Sequence, residues 1–304
     1  MLLRFICPLL LMFSSLSFAQ QADYKNIQLN YFKELRPVTL ADFDQAKPTY
    51  VKLWASWCKP CIEQMPHFQQ LQQQYGDKMN VLAVNININE NRAAIHGVIK
   101  KFALSMPVLL DNNSQLAVAL GLVGTPMSVL LSSKGEIVYT SHESDKNLDV
   151  FVKKLASGEQ LPPAAVAVLS QAEQQKIVAP YLTGEHLLFF TATWCDWYLA
   201  DSRPAMSQAC KKAQTELNQL VALLPKQNWQ GVVNHLWTDD KALTDFVKLY
   251  QMNIKFSIDN AGVLFNHFKI KNIPTLVQVK DGKVIREIFD LSNQNEVVKQ
   301  LSQR

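Results

Sequence analysis

The chain has 304 residues, 48% of them hydrophobic and 18% charged, enough to build buried cores and too few charges for a disordered chain. Thirty Lys and Arg against 26 Asp and Glu leave a net charge of +4, and with no dense basic run this argues against nucleic acid as the main partner. Cysteine stands at five positions, an odd number that questions whether all belong to the working protein.

The first element in chain order is residues 1–19. Arg4 is followed by an apolar run from Phe5 to Phe13, then by the small-residue pattern Ser17-Phe18-Ala19 ahead of Gln20-Gln21. This reads as a removable secretory signal peptide. Its apolar run is shorter than the roughly 20 residues that span a bilayer, and no later stretch is long and apolar enough, so no transmembrane segment is expected after its removal. Cys7 leaves with it. Cys58, Cys61, Cys195 and Cys210 remain, in a compartment where disulfides form.

The periodicity then predicts a strand over Thr49–Trp54, a helix from Cys58 to about Tyr75, a strand over Val81–Ile88 and a helix over Arg92–Phe102. A short apolar run at Pro107–Leu110, strands Met127–Leu131 and Glu136–Thr140, and a helix over Asn147–Ala156 follow. The turn formers of Ser157–Pro163 mark a seam, with Pro163 opening a helix to about Lys176. A second series comes next: a strand over His186–Thr191, a long helix to about Leu224, Val232–Trp237, Asp240–Tyr250, Thr275–Lys280, Val284–Phe289 and Asn293–Ser302.

The two series match in detail. Trp54-Ala55-Ser56-Trp57-Cys58 and Thr191-Ala192-Thr193-Trp194-Cys195 each end an apolar strand. Asp111 lies fifteen residues before Pro126, and Asp259 lies fifteen before Pro274. The chain therefore reads as a tandem of two related α/β units, 20–157 and 158–304, each with helices on both faces of its sheet.

Trp57-Cys58-Lys59-Pro60-Cys61 places two thiols where a strand passes into a helix. At a helix N-terminus, free N–H groups and the dipole favour the Cys58 thiolate, and Lys59 adds a positive charge. One turn on, Cys61 can close an intramolecular disulfide, and Pro60 sits where its missing donor costs little. That is a nucleophile and a resolving thiol for disulfide exchange. A structural disulfide and a copper site are the competing readings. Against the latter, only His67 lies near in sequence and a metal site wants about four ligands, so no metal and no cofactor is expected.

These residues, with Gly124-Thr125-Pro126 and with Val84-Asn85-Ile86 leading to Glu90, resemble the exported thioredoxin-like proteins of the TlpA/ResA/CcmG type. The resemblance covers about residues 24–157. It implies tandem thioredoxin-like folds, each a mixed β-sheet flanked by helices. Cys58 and Cys61 become the catalytic pair, Glu90 a carboxylate that manages their protons, Thr125-Pro126 a cis-proline loop for docking substrate, and Pro66 the kink of the first helix. Trp57, Lys59 and Pro60 complete the expected substrate-facing surface. The implied partners are a protein disulfide as substrate and a membrane-bound dithiol as electron donor, in the bacterial periplasm, with reduction favoured over oxidation. A non-enzymatic copper- or partner-binding module in cytochrome assembly or copper handling is the alternative.

The second unit has Trp194-Cys195-Asp196-Trp197-Tyr198, with Tyr198 where a resolving cysteine would stand. If one helix ran through Cys195 and Cys210 they would be roughly 22 Å apart, beyond the ~7 Å a disulfide tolerates. They pair only if residues 196–203 form a loop and the helix starts at Pro204; both arrangements are open at this point. Trp194, Trp197 and Tyr198 either fill a degenerate site or dock a partner. Ile273-Pro274 repeats the cis-proline loop, and the six histidines are scattered.

Overall fold

The computed structural model describes residues 24–303; the expected signal segment, 1–19, lies outside them. The first half opens with a hairpin, β1 (Leu29–Tyr31) and β2 (Pro37–Val38), that the periodicity did not disclose. These strands are too short to carry an alternation. The central strand β3 (Thr49–Trp54) pairs in parallel with β4 (Asn80–Asn85), and β4 pairs in parallel with β5 (Val108–Leu110). On its other edge β3 runs antiparallel to β6 (Met127–Leu131), which runs antiparallel to β7 (Ile137–Ser141). The sheet order is β2-β1-β5-β4-β3-β6-β7. A central strand covered on both faces is apolar almost throughout. Tyr50, Val51, Leu53 and Trp54 are fully buried, and so, against expectation for a lysine, is Lys52.

Helices α1 (Lys59–Tyr75), α2 (Arg92–Lys101), α3 (Gln115–Ala119) and α4 (Lys146–Ala156) complete this half. The helix expected from Pro163 does not form. Residues 161–169 run without regular structure, with Ala164 N–H donating to the Ile137 carbonyl (2.7 Å). The helix start lies later because a capping box does: Ser170 and Glu173 satisfy each other's backbone N–H groups, so α5 spans Gln171–Val178.

The second half repeats the plan. Strands β8 (Glu185–Thr191), β9 (Trp229–Asn234) and β10 (Phe256–Asp259) are parallel, and β11 (Thr275–Lys280) and β12 (Lys283–Ile288) are antiparallel. The order β10-β9-β8-β11-β12 is that of the first sheet without its opening hairpin. Helices α6 (Pro204–Leu223), α7 (Asp240–Leu249), α8 (Val263–His267) and α9 (Gln294–Ser302) flank it.

The repeat extends to buried carboxylates. Asp111 accepts from the N–H of Ala117 (2.8 Å) at α3, and Asp259 from those of Leu264 and Phe265 (both 2.8 Å) at α8. Each thus satisfies orphan donors of a short helix. One apolar core runs through both halves, joining Trp57 and Leu120 to Phe190, Trp194 and Phe265. A smaller core lies in the second half around Phe189, Leu217, Phe246 and Val297.

Candidate active site at the seam between the halves

Strand β3 ends at Trp54, and a turn through Ala55–Trp57 delivers Cys58 to the N-cap of α1. Extended backbone at Cys58 (φ −81°, ψ 104°) turns its side chain back over the helix end, where Sγ accepts the Cys61 N–H at 3.2 Å. The two sulfurs form a disulfide with Cα atoms 5.2 Å apart. Both cysteines are fully buried. The Thr125–Pro126 bond is cis, and the Thr125 carbonyl oxygen stands 3.4 Å from Cys58 Sγ.

Glu90 follows β4 and is half-buried. Its carboxylate accepts from the Ser56 N–H (2.5 Å), from the Ser56 hydroxyl and from Asn85 Nδ2 (2.8 Å). Burial pushes its carboxyl above the usual carboxylate range, while the hydrogen bonds of Asn85 and Ser56 and the nearby Arg203 act downward. Glu90 thus grips the turn that carries Cys58 rather than either sulfur. It does not cap α2; Asn91 does, accepting from Ala94 N–H at 2.8 Å.

Residues of the second half cover this site. Trp57 stacks on Trp194 with centroids 5.0 Å apart and meets Trp237 edge-on at 6.1 Å. Its indole N–H donates to the Ile88 carbonyl at 2.7 Å, so Trp57 is a buried strut and not an open docking surface. The Tyr198 hydroxyl accepts the Lys59 N–H at 3.1 Å, a first-turn donor between the two cysteines. Arg203 Nη2 donates to the Ser56 hydroxyl at 3.0 Å. Gly124 lies so close to Trp237 that a Cβ there would be 2.6 Å from the indole nitrogen. In return, Asn89 exchanges hydrogen bonds with Ile273, accepting its N–H at 2.8 Å and donating to its carbonyl at 3.3 Å. The Ile273–Pro274 bond is also cis.

Among the expected surface residues only Lys59 is exposed; Pro60 is half-buried, and Thr125, Pro126, Ile273 and Pro274 are buried. A cavity of about 520 Å³ opens beside Pro60, walled by Trp194, Trp197, Tyr198, Trp237 and Phe246. Trp197 stands 64% exposed at its mouth.

Of the two arrangements open for Cys195 and Cys210, the structure takes the loop. Residues 192–203 form turns, α6 begins at Pro204, and the sulfurs are bonded with Cα atoms 6.1 Å apart. The long helix expected to leave β8 directly is therefore corrected. Both cysteines are fully buried. Asp196 beside them accepts from the Tyr250 hydroxyl (2.5 Å) and, through its carbonyl, from Ser207. Among the described residues no cluster of three or more metal-ligating side chains occurs, and no helix is long and apolar enough to cross a membrane.

Sequence reasoning missed Ser56, Arg203, Trp237 and Asn89. Each acts across the seam, and only Trp237, in a tryptophan-rich second half, gave a compositional hint.

Residues 21–155 match the Redoxin family. Thiol-disulfide oxidoreductase ResA of Bacillus thuringiensis subsp. konkukian is 26% identical over 124 residues, covering 40% of this chain and 70% of that protein. Sporulation thiol-disulfide oxidoreductase A of Bacillus subtilis is 31% identical over 99 residues, covering 32% of this chain and 60% of that protein. The crystal structure of StoA from Bacillus subtilis aligns with 25% identity and a TM-score of 0.36, over 43% of this chain and 93% of that one.

Proposed function

We propose, from the premise that residues 21–155 are the redoxin-type, thioredoxin-like part of a thiol–disulfide oxidoreductase, that the chain is exported to the periplasm and reduces protein disulfides through Cys58 and Cys61. The observation that carries this reading is the placing of Cys58: an N-cap sulfur that accepts the Cys61 N–H and faces the carbonyl of a cis-proline loop.

The Cys58 thiolate attacks one sulfur of the client disulfide, forming a mixed disulfide and releasing the other client sulfur as a thiolate. Cys61, as thiolate, then attacks Cys58 Sγ. The mixed disulfide breaks, the client leaves as a dithiol, and the Cys58–Cys61 bond carries the oxidation. A membrane-bound dithiol returns two electrons. Helix α1 lowers the proton affinity of Cys58 through its free N–H groups. Glu90 handles protons on the Cys58 side through Ser56. The Thr125-Pro126 edge takes the client backbone once the second half moves aside, and Lys59 and Pro60 flank it.

The second half, 158–304 in this reading, is a cap. It holds the aromatic loop of Trp194, Trp197 and Tyr198 with the Cys195–Cys210 bond, and its cavity beside Pro60 accepts an apolar client side chain.

Turnover of a disulfide-bonded peptide by the reduced protein tests the reading, with Cys58→Ser as control. Activity equal in the two proteins would overturn it. A reduction potential near roughly −270 mV supports a reductant, whereas one near roughly −120 mV would reverse the direction.

A further inference from the structure

Lys52 lies in the middle of β3 and is fully buried, a placing that lysine almost never takes without a partner charge. Among the described residues it has no carboxylate partner. Its Nζ donates to Gln64 Oε1 at 2.7 Å, approaches the Ser128 hydroxyl at 3.5 Å and lies 5.6 Å from the centre of the Phe68 ring. Gln64 presents that oxygen because its Nε2 is committed to the His142 carbonyl at 3.0 Å.

Gln64 is three residues beyond Cys61 on α1, hence on the same face one turn away, about 4.5 Å along the axis. Helical side chains lean toward the N-terminus, so Gln64 holds the lysine head on the Cys61 side of its own turn. The amine is therefore held in a dry site by a residue one helical turn from the buried Cys61.

The titratable groups packed around it are few. Tyr50 on β3 shares a hydrogen bond with Ser128 (2.9 Å), His67 on α1 is paired with Asp149 on α4 at 2.8 Å, and His142 is bound to the Pro126 carbonyl at 2.7 Å. None supplies Lys52 with a counter-charge. Burial alone pushes its ammonium down to about 7, within reach of physiological pH.

We propose that Lys52 is the charge partner of Cys61 in the catalytic cycle, an ammonium while Cys61 is a thiolate and a neutral amine once the Cys58–Cys61 disulfide has closed. The inference rests on the oxidoreductase reading of that pair. When Cys61 Sγ bonds to Cys58 Sγ, the mixed disulfide breaks and the client sulfur leaves with its electron pair. Lys52, having lost its anionic neighbour, releases a proton, and the client thiolate gains one through solvent. When the dithiol donor restores two electrons, Cys61 again becomes anionic and Lys52 takes a proton back. Lys52 touches no substrate and acts only through Cys61, so it is a positioning residue for charge.

The test compares wild type, Lys52→Met and Lys52→Arg. The reduction potential of the pair is measured by equilibration with glutathione from pH 6 to 9, and the Lys52 side chain is titrated by carbon NMR in wild type in both redox states. Reduction is expected to raise the midpoint of Lys52 by about one pH unit or more, a tenfold change in proton affinity. Lys52→Met is expected to raise the apparent Cys61 thiol midpoint by a similar amount and to remove the extra proton taken up on reduction. Lys52→Arg, charged in both states, is expected to keep Cys61 acidic but also to lack the extra proton. The same Lys52 midpoint in both redox states of wild type would overturn the proposal whether or not the variants fold, as would identical pH slopes in folded variants. A wild-type pair that never equilibrates with glutathione would instead overturn the oxidoreductase reading, and this inference with it.

Discussion

Tyr198 stands where a resolving cysteine would stand in the second half, and its hydroxyl plugs a first-turn N–H beside Cys58. Cys58 and Cys61 are both fully buried in this arrangement, so attack on their disulfide requires the aromatic loop to lift. Tyr198→Phe removes only the hydrogen bond to Lys59, about 1 kcal/mol, and is expected to raise the open fraction about fivefold. Tyr198→Ala also removes a half-buried ring that meets Trp194 and Trp237 at 6.0 Å. Trp194 rides on the same loop, so only the Trp237 contact and the lost hydrogen bond count toward loop closure, and together they are put at about 2 kcal/mol, or about 30-fold. The assay is the rate at which dithiothreitol reduces the Cys58–Cys61 disulfide, followed by acid quench, alkylation and mass spectrometry. Rates should rank Ala above Phe above wild type, with thermal stability little changed in Phe. If Tyr198→Ala reacts no faster than wild type, the closed seam does not gate Cys58 and the capping argument fails.

Two further outcomes concern the second half. The Cys195–Cys210 bond closes a sequence separation of 15, so replacing both cysteines by Ala should cost about 3 kcal/mol in urea unfolding; an undiminished midpoint would mean the loop is held by packing alone. Asp259 is pushed by burial up to about 7 from an ordinary 3.8. The folded protein then holds a proton that the unfolded chain releases, so stability is full below about pH 4 and declines as pH rises toward 7. Asp259→Asn should flatten that decline in melting temperature, and an unchanged profile would show that the carboxylate stays ionised.

The alternating strands and helices, the Cys58–Cys61 spacing and the fifteen-residue interval from Asp111 to Pro126 and Asp259 to Pro274 were legible because each depends on neighbours along the chain. Periodicity and turn chemistry are local, and so are the caps that start helices. The helix misplaced at Pro163 was a contest between two local signals, which the Ser170–Glu173 box won. Strands β1, β2 and β10, of 3, 2 and 4 residues, are held by their sheet partners rather than by their own pattern.

How the halves meet depends on long-range packing. Patterns along the chain were enough for two α/β units, one redox-spaced pair and one pair whose linkage stayed open. They left Trp57, Thr125 and Pro126 as an open substrate face, because nothing in a linear pattern says what will cover a surface. Only packing brought Trp194 onto Trp57, Tyr198 onto Lys59 and Arg203 onto Ser56. Packing also bent residues 192–203 into the loop that lets Cys195 reach Cys210, and buried Lys52 against Gln64 of α1. These contacts join residues more than a hundred positions apart or depend on burial, and burial is a property of the folded whole.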